Sequence, residues 1–129
     1  MLVSATLGDD QIPMATDDLL EALGRLRDQQ GRTLLLINEP ETILTIAAGP
    51  GLGYYVSYLD SEAEWLAYRG DLAGDKVTTT FAGNSDPIPK ALLVPESAAR
   101  AAVRAFAEAN RRSEAVRWVT CSELLKKSF

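Results

Sequence analysis

A chain of 129 residues, 47% hydrophobic and 24% charged, has apolar mass for one buried core and too little length for two. Its net charge of −5 is too small, and its apolar content too high, for a disordered polyelectrolyte; an acidic majority also argues against nucleic acid as the main partner, because phosphate binding needs a basic surface. With no histidine and a single cysteine, the chain lacks the usual general base near neutral pH, the commonest metal ligand and any internal disulfide.

In chain order, Met1 to Leu7 alternates weakly and reads as a first strand. It has no basic flank and is too short for a secretory leader, and no apolar stretch approaches membrane-spanning length. A soluble, cytoplasmic protein is the expectation. Thr16 reads as a helix N-cap, with Asp17 and Asp18 where the helix dipole favours negative charge. Leu19, Leu20, Leu23 and Leu26 follow at helical spacing, and Gly31 is expected to stop that helix. The apolar run inside Thr33 to Asn38 suggests a central strand covered on both faces. Thr42 to Ala48, Tyr54 to Leu59 and Glu64 to Arg69 read as further strands, the last two joined as a hairpin by Asp60-Ser61-Glu62-Ala63. Another strand is expected at Lys76 to Phe81, followed by a loop from Ala82 to Pro89.

Pro95 suits the start of a second helix, whose buried stripe is Ala98, Ala99, Ala102, Val103 and Phe106. Asn110 can end it, which leaves Arg111 and Arg112 near the negative end of its dipole. Val116 to Val119 reads as a last strand, and Cys121 to Phe129 as a short tail. Hairpin-linked strands between two helices predict one α+β domain spanning residues 1–129, a mostly antiparallel sheet with two main helices packed on it. Trp118, Phe106 and Val103 are its expected core anchors.

Little in the chain points to catalysis. The glycine-rich Gly49-Pro50-Gly51-Leu52-Gly53 leads into a strand instead of a helix and has no lysine nearby, so it reads as a tight turn and not a phosphate cradle. Cys121 has no histidine to activate it and reads as a small buried apolar residue. Asp9-Asp10 and Asp17-Asp18 are adjacent pairs without calcium-loop spacing. No cofactor and no metal are expected.

Charge is unevenly spread along the sequence. Before Lys90, five basic side chains face fourteen acidic ones; from Lys90 onward, eight basic face four acidic. The acidic portion also holds Tyr54, Tyr55, Tyr58, Trp65 and Tyr68, beside Asp60, Glu62 and Glu64. Aromatic rings among acids are what a protein-binding patch uses, and an acidic field suits a basic partner. The expected contact set is Tyr58, Asp60, Glu62, Glu64, Tyr68, Asp71, Asp75 and Asp86.

The second half of the chain carries a run of short blocks: Gly53-Tyr54-Tyr55-Val56-Ser57-Tyr58, Phe81-Ala82-Gly83-Asn84, Ile88-Pro89, Leu93-Val94-Pro95, the helix through Phe106, and Val116-Arg117-Trp118. In order and spacing these resemble the Imm-one family of immunity proteins from bacterial polymorphic-toxin systems, over roughly Leu34 to Trp118. Ser85-Asp86-Pro87 departs from the pattern where an acid usually precedes the Ile-Pro pair directly, and Asn110-Arg111-Arg112-Ser113 replaces the usual glycine-containing turn. The resemblance implies a non-enzymatic α+β protein that binds and neutralises a cognate toxin domain, frequently a deaminase or nuclease, by occluding its active site. Trp118 matches the family's most recognisable position. A small acidic secretion or folding chaperone is the alternative that the residues leave standing. The expected partner is a toxin with a basic surface, with neither nucleic acid nor membrane involved; homo-oligomerisation is left open.

Overall fold

The computed structural model describes residues 2–28, 32–39, 41–49, 53–70, 72, 74, 76–77 and 87–127. Its elements are β1 (Leu2–Leu7), β2 (Asp10–Gln11), α1 (Thr16–Leu26), β3 (Thr33–Asn38), β4 (Thr42–Gly49), β5 (Gly53–Leu59), β6 (Glu64–Tyr68), β7 (Lys76–Val77), β8 (Ile88–Pro89), β9 (Leu93–Val94), α2 (Glu96–Ala109), β10 (Arg117–Thr120) and α3 (Cys121–Lys127). This is an α+β domain. The main sheet runs β10-β6-β5-β4-β3-β1-β2, with antiparallel neighbours throughout, and β9 pairs with the first half of β5 beside the stretch that β6 occupies. β7 and β8 form a separate two-residue pairing.

Both long helices lie on one face of the sheet. Leu19, Leu20, Leu23 and Leu26 of α1 and Ala99, Ala102, Val103 and Phe106 of α2 are buried against Leu34, Leu36, Leu44, Ile46, Tyr54, Val56 and Tyr58. Period-2 alternation sends those strand residues to the helices and their neighbours to the opposite face. On that opposite face a smaller cluster of Leu66, Leu72, Ala91, Leu92 and Val119 is joined by Tyr55, Tyr68, Cys121 and Leu124. It spans only the β5-β6-β10 side. β3 is therefore not covered on both faces: Leu34, Leu36 and Asn38 are buried, whereas Thr33, Leu35 and Ile37 are only partly so. Its apolar run is that of a strand with one dry face.

Several boundaries differ from the sequence reading. Ala15, not Thr16, occupies the N-cap of α1 and offers no side-chain cap; Thr16 is the first helical residue. The helix ends at Leu26 with Arg27 as C-cap, and Gly31 lies outside the described residues. Residues 78–86 also lie outside them, so the Lys76–Phe81 strand is seen only as Lys76–Val77. The stretch read as a loop to Pro89 ends in β8. The expected tail forms α3, because the Thr120 hydroxyl accepts the Glu123 N–H at 3.1 Å and so caps a helix start.

Gly53 shows why β9 can join the sheet. It sits at φ +124°, and a Cβ there would lie 2.7 Å from the Val94 carbonyl oxygen, inside van der Waals contact. Gly49 pairs with Gly53, and Pro50 to Leu52, the middle of the segment read as a tight turn, lie outside the described residues. Among the described residues, no helix is long and apolar enough to cross a membrane.

Candidate functional site

Two connections meet at one end of the sheet, on the helix-covered face: the β5–β6 turn and the loop from α2 to β10. Each is held by its own chemistry. In the turn, the Asp60 carboxylate accepts the backbone N–H groups of Glu62 (2.8 Å) and Ala63 (3.0 Å). These bonds favour the charged form and hold the Asp60 carboxyl below its ordinary pKa, with a smaller contribution from Arg112.

The α2–β10 loop begins at Asn110, which takes the left-handed conformation at φ 51° and closes α2 through its N–H to the Phe106 carbonyl. Buried Asn38, at the end of β3, donates through its side-chain amide to the same Phe106 carbonyl (3.0 Å) and to the Asn110 side-chain oxygen. Asn110 in turn donates to the Glu39 carbonyl at 3.3 Å. Strand end and helix end are thus tied together. Further along, the Ser113 carbonyl accepts Trp118 Nε1–H at 3.0 Å, and the Ser113 hydroxyl accepts the Ala115 N–H at 3.1 Å.

Between turn and loop lies an open pocket of about 390 Å³, lined by Tyr58, Asp60, Arg111, Arg112, Ser113, Glu114 and Trp118. Tyr58 is 7% exposed, and its ring stands edge-on to Phe106 and Trp118, with centroids 6.0 and 6.2 Å away. Burial raises its pKa above the ordinary phenol value. Trp118 is partly buried and packs against the main core, while Phe106 and Val103 are fully enclosed. Arg111 pairs with Glu114 at 3.2 Å. The Arg112 guanidinium carbon sits 3.6 Å from the centroid of the Trp65 ring and 5.7 Å from that of Tyr58.

The expected contact residues divide accordingly. Tyr58 and Asp60 come together with Trp118, and exposed Glu62 stands beside them on the turn. Glu64 turns to the opposite face, where it accepts the Ser57 hydroxyl (2.7 Å) and the Cys121 thiol (3.1 Å). Burial, and then this carboxylate, push the Cys121 thiol up to about 11 and the Tyr55 phenol up to about 12. Tyr68 is also on that side, stacked with Arg117 at 4.9 Å. Asp71, Asp75 and Asp86 lie outside the described residues. Cys121 is half-buried and hydrogen-bonded, not a plain apolar filler. Sequence reasoning missed the Arg112–Trp65 stack. Its only trace is the pair Arg111-Arg112, read as a response to the helix dipole, whereas the end of α2 is in fact satisfied by Asn38 and Asn110. No group of three or more potential ligands among the described residues is placed to hold a metal ion.

The β5–β6 turn and the α2–β10 loop thus border an open pocket with aromatic and charged residues in its lining. The chain matches the family model described as Immunity protein Imm1 over residues 9–120, and it belongs to that family. Comparison with curated proteins gave no match. Family membership assigns a toxin-immunity role, exercised by binding a cognate toxin.

Proposed function

We propose that this immunity protein binds the catalytic domain of a cognate polymorphic toxin, a deaminase or a nuclease, and blocks its active site in the cytoplasm of the bacterium that makes it. The contact face is the β5–β6 turn with the α2–β10 loop. The observation that carries this reading is the convergence of Tyr58, Trp118, Asp60 and the loop residues on one open pocket. Rings at the base and charges at the rim are the anatomy of a binding hot spot. A toxin that acts on nucleic acid or nucleotides needs a basic cleft, and Asp60 and Glu62 put negative charge where such a cleft would dock. Glu64 and Tyr68 face the other way and are left out of this contact.

The test uses Glu62→Lys combined with Asp60→Asn, which preserves an acceptor for the turn N–H groups. Association with the toxin domain encoded directly upstream should slow by about tenfold or more at low salt and become less salt-dependent, with folding intact. An unchanged association rate and salt slope would place the interface elsewhere.

A further inference from the structure

Arg112 lies in the pocket with its guanidinium against aromatic rings. Its guanidinium lies over Trp65 at 3.6 Å, yet it makes no hydrogen bond and no ion pair among the described residues. The nearby carboxylates are already engaged. Asp60 accepts two backbone N–H groups of its own turn, and Glu114 is paired with Arg111. The field of Asp60 reaches Arg112, but no Asp60 oxygen comes within ion-pair distance.

A stacked guanidinium has one face shielded from water and five N–H donors directed outward in its own plane. Arg112 lines a pocket whose other walls are Tyr58, Asp60, Arg111, Ser113, Glu114 and Trp118; Asp60 and Glu114 are engaged elsewhere, which leaves the guanidinium donors unmatched among the described residues. The ring below restricts the side chain before any partner arrives, so less conformational freedom is lost on docking. A carboxylate is the group whose two oxygens match this donor edge. From this geometry we infer that Arg112 is the anchor for an aspartate or glutamate side chain of the bound toxin, seated in the pocket between the β5–β6 turn and the α2–β10 loop. This rests on the proposed binding face and adds a second polarity to it: the turn offers acid to the partner's basic groups, and Arg112 takes one of its acids.

The experiment measures affinity and inhibition for the toxin domain encoded directly upstream, with Arg112→Met and Arg112→Lys. Methionine keeps an apolar cover over Trp65 while removing every donor, and thermal melts check that the fold persists. Arg112→Met should weaken binding by about thirtyfold or more, mainly through faster dissociation. Lysine, a point charge without the planar fork, should recover only part of this. Scanning the toxin's exposed acids to amides should then find one whose loss matches that of Arg112→Met and adds nothing to it in the double variant. Wild-type affinity in Arg112→Met, or a loss with no coupled toxin acid, overturns the inference while the proposed function stands. A wild-type chain that neither binds nor inhibits this toxin domain overturns both.

Discussion

At the scale of single residues, the two rings that stand edge-on to Tyr58 do different work. Phe106 is fully enclosed among α1, α2 and the sheet, and truncating it leaves a void that tight packing cannot close. Phe106→Ala should therefore cost about 3–5 kcal/mol of folding stability. Trp118 shows part of its surface to the pocket and donates to the Ser113 carbonyl. Less of its area returns to water on truncation, so Trp118→Ala should cost less, roughly 1–3 kcal/mol, while releasing the loop. Urea unfolding of both variants tests the ordering. Equal losses would mean that Trp118 is as much a core residue as Phe106, as the sequence alone suggested. The apolar character of both rings was legible from type and periodicity. Which of them borders a cavity was not, because that depends on a loop packing over a strand remote in sequence.

Elements were legible in proportion to the regularity of their pattern. Thr33–Asn38 coincides with β3, and the strands at Thr42 and Tyr54 start within a residue of β4 and β5, because β-branched and apolar residues dominate there. The end of α2 was also readable, since asparagine tolerates the left-handed conformation that closes a helix. What escaped were short pieces fixed by contacts instead of periodicity. β9 is two residues long and exists because Gly53 lets its backbone approach β5. α3 carried a readable start signal in Thr120 and Glu123, three residues apart, but too little apolar pattern to support it. The stack of Arg112 on Trp65 joins a loop to a strand of another hairpin and leaves no local signature. The closure of α2 invites a paired test. Asn110→Ala should lose about 1–3 kcal/mol, combining left-handed strain with the lost bonds to Asn38 and Glu39. Asn110→Gly removes the same bonds without the strain, and should lose visibly less. Equal melting points for the two variants would show that the side chain, and not the backbone, carries the cap.

For the whole molecule, buried and half-buried groups on both faces of the sheet respond to alkali. On the helix side burial is the main cause lifting Tyr54 to about 12, with Glu96 adding to it; on the other side Tyr55 stands at about 12 and Cys121 at about 11. Well below pH 9 all three are protonated whether the chain is folded or not. As pH rises, the unfolded thiol ionises near 9.0 and the unfolded phenols near 10.0, while the folded chain keeps its protons. The unfolded state then binds fewer protons, so stability should fall steadily between pH 9 and about 12. Urea midpoints across that range check it, and Cys121→Ala should flatten the portion between 9 and about 11. A flat profile in the parent chain would show that these groups titrate alike in both states. The same raised thiol should alkylate slowly near neutral pH, and faster in Glu64→Gln, where the carboxylate that holds its proton is gone.

The way the α2–β10 loop is fastened has a consequence for lineage and selection. Its backbone is secured from beneath, by Asn38 and Asn110 at one end and by the Ser113 carbonyl on Trp118 at the other. None of these bonds uses the side chains of Arg111, Arg112 or Glu114. On the proposed binding face, substitutions at those three positions would change what the loop offers a toxin while leaving these backbone-fixing bonds in place, so a shift of partner need not pass through an ancestor that fails to fold.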